Sequence, residues 1–378
     1  MQTRPTSTHL FRLPVAFSMF LLAAAAVGSQ AQTNSFAGTA PPSPVANAST
    51  AADPISIDIE ITDKLGHHVS GLKPEDITLL DNQQPHKFID FREVDTRNSA
   101  ADPVHIVIVI DMINTGFDVV ARERQQLEEF LRQDGGRLAH PTSIAMLTEK
   151  GLQIDKTSTT DGNALLASLD LSKFGLRMTG RAAGFWGAVD RMHWSLAQLG
   201  QLAAYEGTQP GRKLLFFISP GWPMFPSGED MATEKQLNWI FNSVVEISNG
   251  LREAQVVLYT IDPFELGKTN PYYYKIYLKG VRDAHNAKFA NLSLQVLAVH
   301  SGGTVQAMGT DIKGEINNAL RDANGYYTLT FADPTPGRAN EYHELSLRVD
   351  KPDTIVRTTT GYYANTQHLQ DTKAVVPR

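Results

Sequence analysis

The chain contains no cysteine. That excludes a disulfide framework, a thiolate nucleophile, a cysteine-zinc site and a lipidated cysteine. Other absences narrow the field. No lysine- or arginine-rich run provides the basic footprint of a nucleic-acid binder, and the net charge is -6. There is no G-x-x-x-x-G-K-[ST] phosphate loop, no G-x-G-x-x-G after the first α/β strand, and no H-E-x-x-H zinc helix. Ser219 ends a strand-like run, but its context F-I-S-P-G lacks the G-x-S-x-G form, and Pro220 removes an amide that an oxyanion hole would use. No catalytic constellation is visible, so a non-enzymatic protein is expected.

Long apolar runs are also scarce. The one stretch at residues 13–27 (L-P-V-A-F-S-M-F-L-L-A-A-A-A-V) is short for a membrane span. Arg4 and Arg12 precede it, and Ser29-Gln30-Ala31 places small residues where a signal peptidase reads. The expectation is a signal peptide at residues 1–31, cleaved after Ala31, with no membrane span afterwards. The mature protein is then exported: periplasmic, at the cell surface or secreted. Residues 32–53 are rich in Ala, Ser, Thr and Pro and read as a disordered linker.

Two β-rich segments flank a long central region. In residues 54–96, Ile55, Ile57, Ile59 and Ile61 alternate with polar residues, the period of a half-buried strand. His67 and His68 fall in an exposed turn. The pattern returns in residues 324–364 (Y-Y-T-L-T-F and E-Y-H-E-L-S-L-R-V). Neither segment has enough strands for an independent sandwich, so the two are expected to pack together as one β-sandwich. Residues 365–378 form a tail.

The central region, residues 103–323, reads as an α/β fold with a doubly wound, mostly parallel sheet. Residues 104–110 (V-H-I-V-I-V-I) are apolar on both faces, as a central parallel strand requires. Further buried strands are expected at residues 142–148, 213–219 and 255–261, and short ones at 151–156 and 302–307. Helices are expected at 117–132, 162–171, 181–205, 230–254, 286–300 and 311–322, from apolar residues at helical spacing. His300 reads as a helix-end residue. The stretch 272–277, with four tyrosines, has no assigned role.

Ligand sites in such sheets form beyond the carboxyl ends of the strands. That places Asp111, Asn114, Thr115, Ser219 and Asp262 on one face. Trp222, after the Pro220-Gly221 turn, reads there as an aromatic anchor for a partner, with packing beneath the loop as the alternative.

The order of these motifs resembles a von Willebrand factor A domain: V-I-V-I-D, the helix after it, K-L-L-F-F-I-S-P-G and Q-V-V-L-Y-T-I-D. More narrowly, the chain is similar to bacterial, acidobacterial-type exported von Willebrand factor A-related proteins. In these a segment like I-E-I-T-D-K-L-G-H-H-V-S-G-L-K-P-E-D-I-T-L-L-D-N precedes the A-type domain and a β tail follows. The resemblance implies a metal-ion-dependent adhesion site that holds Mg2+ or Mn2+ through Asp-x-Ser-x-Ser, a Thr and an Asp. Hard oxygen ligands suit those ions. Here Asp111 matches the first position and Thr115 the third. Ile113 replaces the first Ser, Ala183 aligns with the Thr (Thr179 is shifted), and Pro220 replaces the second Asp beside Ser219. The implied function is binding of a protein or extracellular ligand through an A-type domain with a degenerate metal site. The alternative is divalent-metal-dependent adhesion through a residual site at Asp111 and Thr115.

Overall fold

The structure is a computed structural model. It describes residues 54–96, 103–155, 157–169, 185–222, 232–262, 272–306, 311–333 and 337–364. The expected signal peptide, linker and tail lie outside these residues, as do Thr179 and Ala183.

The central sheet is built around β5 (Val104–Asp111), buried along nearly all its length because helices cover both faces. It pairs in parallel with β6 (Arg137–Thr148) on one side and β9 (Arg212–Ile218) on the other. Beyond β9 lie β10 (Val256–Ile261) and the two-residue β11 (Val305–Gln306), both parallel. Beyond β6 lies the antiparallel β7 (Gly151–Ile154), and β8 (Thr159–Asp161) also pairs with β6. The strand order is β11-β10-β9-β5-β6-β7. The chain direction across the sheet therefore reverses between β5 and β9, and a crevice opens there at the carboxyl ends.

Helices α1 (Phe117–Leu131), α2 (Gly162–Ser168) and α6 (Ile312–Ala319) cover one face, sharing a core with Ile106, Ile108, Phe216 and Tyr259. Helices α3 (Phe185–Glu206), α4 (Glu234–Glu253) and α5 (Leu294–His300) cover the other, packing on Val107, Val109, Leu215 and Phe217. Alternate residues of one strand thus feed two cores, and the sheet is doubly wound, as the sequence pattern indicates.

Several expected elements are shorter. The helix expected from residue 230 begins at Glu234, where the Thr233 hydroxyl and the Gln236 side chain cap the first turn reciprocally. The expected helix over 286–300 breaks into 3-10 turns at Ala284–Asn286 and Phe289–Leu292 before α5. Asp283 and Ser293 each accept a backbone N–H and restart the chain locally. Of the strand expected over 302–307, Val305 and Gln306 are the residues that pair in the sheet among the described residues.

The flanking segments combine into two four-stranded antiparallel sheets. β1 (Ile55–Asp63), β4 (Phe88–Val94), β12 (Tyr326–Phe331) and β14 (Thr354–Thr358) form one, in the order β14-β1-β12-β4. β2 (Ile77–Asp81), β3 (Gln84–His86), β13 (Tyr342–Val349) and β15 (Gly361–Tyr363) form the other, in the order β15-β13-β2-β3. Asn82 and Gln83 both take positive φ in the β2–β3 turn, whose twist suits a two-residue hairpin. Ile57, Ile59, Ile61, Leu79, Tyr327, Leu329 and Leu345 share one apolar cluster drawn from both sheets and both ends of the chain. His68 is not in an exposed turn. It packs on the Tyr327 ring at 5.3 Å and meets Glu93 at 3.2 Å.

A buried ionic group joins these strands to the amino end of the central sheet. Arg212 pairs with Glu60 (2.5 Å) and Asp58 (3.2 Å), donates to the Asp322 carbonyl (3.0 Å), and lies over the Tyr326 ring. Arg357 and the Tyr259 hydroxyl both donate to Asp322 Oδ2. Burial pushes the Glu60 carboxyl up to about 7, which the Arg212 charge only partly offsets.

Candidate functional site

Asp111 ends β5 at the crevice and is fully buried. Its carboxylate accepts four hydrogen bonds. The Ile113 and Asn114 amides donate to Oδ1 at 2.8 and 3.0 Å. The Asn114 side-chain amide (2.8 Å) and the Ser219 hydroxyl (2.6 Å) donate to Oδ2. Ser219 leaves the end of the neighbouring strand β9 and accepts the Gly221 amide at 2.9 Å, which holds the Pro220-Gly221 turn. Gly221 has φ +83, a conformation glycine adopts readily. The strand-end geometry thus brings Asp111, Asn114 and Ser219 together, as the sequence places them.

Ser195, which sequence reasoning missed, completes the group. It accepts the second Asn114 amide hydrogen at 2.9 Å and is fully buried on α3. The signal was present: a lone serine on the apolar stripe of Met192, Leu196 and Leu199. Gln198 on the same helix holds both backbone groups of Thr148 at the end of β6. Helix α3 thereby supplies polar side chains to two adjacent strand ends.

The fit to a divalent cation is poor. The set offers one carboxylate, and protein donors already engage both its oxygens. Ile113, at the first Ser position, is buried in the apolar core and has no oxygen to give. Among the described residues no three His, Asp or Glu side chains stand together as a metal cluster. Among the described residues, Thr115 Oγ1 and Asn114 Oδ1 are buried and meet no hydrogen-bond partner.

One of the two expected partner-face residues sits otherwise. Trp222 is not an exposed anchor. It is 4% exposed, its indole N–H donates to the Leu292 carbonyl at 2.9 Å, and its ring meets Phe217 edge-on. Gly221 lets the chain double back, so the indole turns into the core instead of out to solvent. Asp262 follows β10 half-buried, its amide bonded to the Gln306 carbonyl at 3.3 Å. The tyrosine-rich stretch adjoins the site from the side. Tyr273 donates to Gln295 (2.9 Å), whose amide reaches the Pro220 carbonyl (3.4 Å). Burial raises the Tyr273 hydroxyl to about 12. His300 ends α5, as expected, and its ring meets the Thr360 hydroxyl. Burial lowers it to about 4.

No protein-family model matches the chain, and no curated protein matches it. The solved structures with loose similarity include these two. The human COPII-coat protein Sec24c aligns at 8% identity and TM-score 0.33, over 73% of this chain and 46% of that one. The pilus adhesin SpaC from Lactobacillus rhamnosus GG aligns at 10% identity and TM-score 0.36, over 79% and 50%. The chain spans about half the length of each. Likenesses at these scores establish neither a common fold nor a common activity. No helix among the described residues is long and apolar enough to cross a membrane.

Proposed function

We propose that the chain is an exported, non-enzymatic binding or scaffold protein of the von Willebrand factor A-related type, with a degenerate metal site. Residues 54–96 and 324–364 form one β-sandwich that carries the A-type domain, residues 103–323. The mixed strand orders of the two antiparallel sheets and their shared apolar cluster support this arrangement. The partner is a protein or extracellular ligand met at the carboxyl-end face of the central sheet.

One observation carries the reading. The Asp111 carboxylate, where a metal would be needed, is occupied by four protein donors. A carboxylate so satisfied stiffens the crevice without a cation. The alternative, divalent-metal-dependent adhesion, is favoured by the unpartnered oxygens of Thr115 and Asn114. It requires Asn114 and Ser219 to release Asp111.

The test is the melting temperature of the mature protein in EDTA and in millimolar Mg2+, Mn2+ or Ca2+, repeated on Thr115→Val. A ligand that binds only the native state must raise its stability. An unchanged melting temperature in all four conditions is expected. Thr115→Val itself melts at the same temperature or slightly higher, because it removes a buried unpaired hydroxyl. A metal-dependent rise that disappears in Thr115→Val establishes the alternative and overturns the degenerate-site reading.

A further inference from the structure

Residues 272–288 depart from the rest of this acidic chain. They carry Lys275, Lys279, Arg282 and Lys288 against one carboxylate, Asp283, which is engaged by the Asn286 amide and side chain. An open groove of about 350 Å³ lies along the segment, lined by Ile276, Tyr277, Lys279, Arg282, Asn286 and Lys288 among others. Lys279 and Arg282 are exposed, and neither meets a carboxylate among the described residues. The same segment holds two of the five most exposed large hydrophobic side chains among the described residues, Ile276 (78%) and Tyr272 (52%). Cations and unburied apolar groups are thus concentrated on one strip, although solvent favours separating them from each other.

The strip is held rigidly. Asn291 donates to the Tyr277 carbonyl and accepts the Lys288 amide, closing the groove's floor. The Tyr363 hydroxyl donates to the Val281 carbonyl at 3.0 Å, and a Cβ on Gly280 would collide with the Tyr342 ring. The backbone that carries the basic rim is therefore fixed without a ligand, which lowers the entropic cost of binding.

We propose that this groove binds an acidic peptide segment of a partner protein, one that carries apolar side chains between its carboxylates. Lys279 and Arg282 meet the carboxylates, and Ile276 meets an apolar side chain. Charge complementarity argues against the chain's two terminal segments as the occupant. Residues 32–52 contain no acidic side chain, and residues 365–378 contain one, Asp371, against Lys373 and Arg378. A polyanionic sugar would seek a bare aromatic face, but Lys275 lies 4.3 Å over the Tyr272 ring. The exposed Ile276 also has no use in sugar binding. This proposal does not depend on the Asp111 site.

The experiment is fluorescence anisotropy of a short labelled peptide of glutamates with interspersed leucines, titrated with the full mature chain at low salt. Saturable binding is expected, weakened by added NaCl. It should be about tenfold weaker in Lys279→Glu/Arg282→Glu and weaker in Ile276→Ser. It should be unchanged in Lys73→Glu/Lys351→Glu. Absence of binding, or equal loss in the distant lysine variant, overturns the groove. Binding of polygalacturonate that depends on Lys279 and Arg282, with none of the peptide, overturns the peptide assignment. A concentration-dependent dimer that Lys279→Glu/Arg282→Glu disperses, and that excludes the peptide, assigns the groove to a second copy and overturns the foreign partner.

Discussion

The Ser219 hydroxyl donates to Asp111 Oδ2 at 2.6 Å, joining the ends of β9 and β5 across the point where the sheet reverses its order. Two strands far apart in sequence are thereby tied at the mouth of the crevice. The tie has a measurable energy because both residues are fully buried.

Asp111→Ala leaves the Ile113 and Asn114 amides, the Asn114 side chain and the Ser219 hydroxyl without their acceptor. A loss of about 3–5 kcal/mol in urea denaturation is expected. Ser219→Ala removes one donor and costs about 1–2 kcal/mol. The double variant should lose less than the sum, since its second change removes a partner already absent. Strict additivity would show that the bond contributes nothing.

Trp222 acts in the core, so its substitution should be read in stability. Trp222→Phe gives up the bond to the Leu292 carbonyl and part of the packing, at about 1–2 kcal/mol. Trp222→Ala opens a cavity beside Phe217 and costs about 3–5 kcal/mol. Wild-type stability in Trp222→Ala would place the indole in solvent after all.

Glu60 and His300 oppose each other in pH dependence. The Glu60 carboxyl rises from 4.5 to about 7 on folding, because burial outweighs the pull of Arg212. The folded chain then holds a proton that the unfolded chain has lost, so this contribution to stability falls as pH rises from about 4.5 to about 7. His300 falls from 6.5 to about 4 through burial. There the unfolded chain binds the extra proton, and stability rises as pH rises from about 4 to about 6.5. Urea midpoints of wild type against pH should therefore be flatter than those of either variant. Glu60→Gln should leave a profile that rises more steeply with pH, and His300→Gln one that falls more steeply. Parallel profiles in all three would refute the assignment.

Strand β12 lies between β1 and β4, and β13 lies between β15 and β2. Each sheet therefore needs both ends of the chain. A protease site engineered within residues 97–102 and cut in the folded protein should leave both fragments co-eluting on size exclusion. They should part only in denaturant. Release of the smaller fragment with the remainder still folded would show that the C-terminal strands stand alone.

Local chemistry was enough to place the central strand, its neighbours and their strand-end residues. Seven residues nearly all apolar and mostly β-branched, followed by Asp111, have the length and composition of a doubly covered strand with a polar end. The order of such strands with helices between them sets the doubly wound class. The alternation at Ile55 to Ile61 likewise declares one buried face. Helix ends were less legible. The start of α4 depends on the Thr233–Gln236 cap, and the break before α5 depends on Asp283 and Ser293 turning to their own backbone.

Only the tertiary structure decided where the side chains at the crevice point. Whether Asp111 is free for a cation depends on Ser219 and on Asn114, itself held by Ser195 of α3, and no local pattern links those positions. Whether Trp222 faces a partner or the core depends on the direction in which the Gly221 turn folds back against Leu292. The pairing of Glu60 with Arg212 and the rigid basic strip beside Tyr342 and Tyr363 have the same origin. Periodicity reports which face of an element is apolar. Contacts between elements are set by packing and by the need to satisfy each buried polar group, and those are properties of the assembled chain.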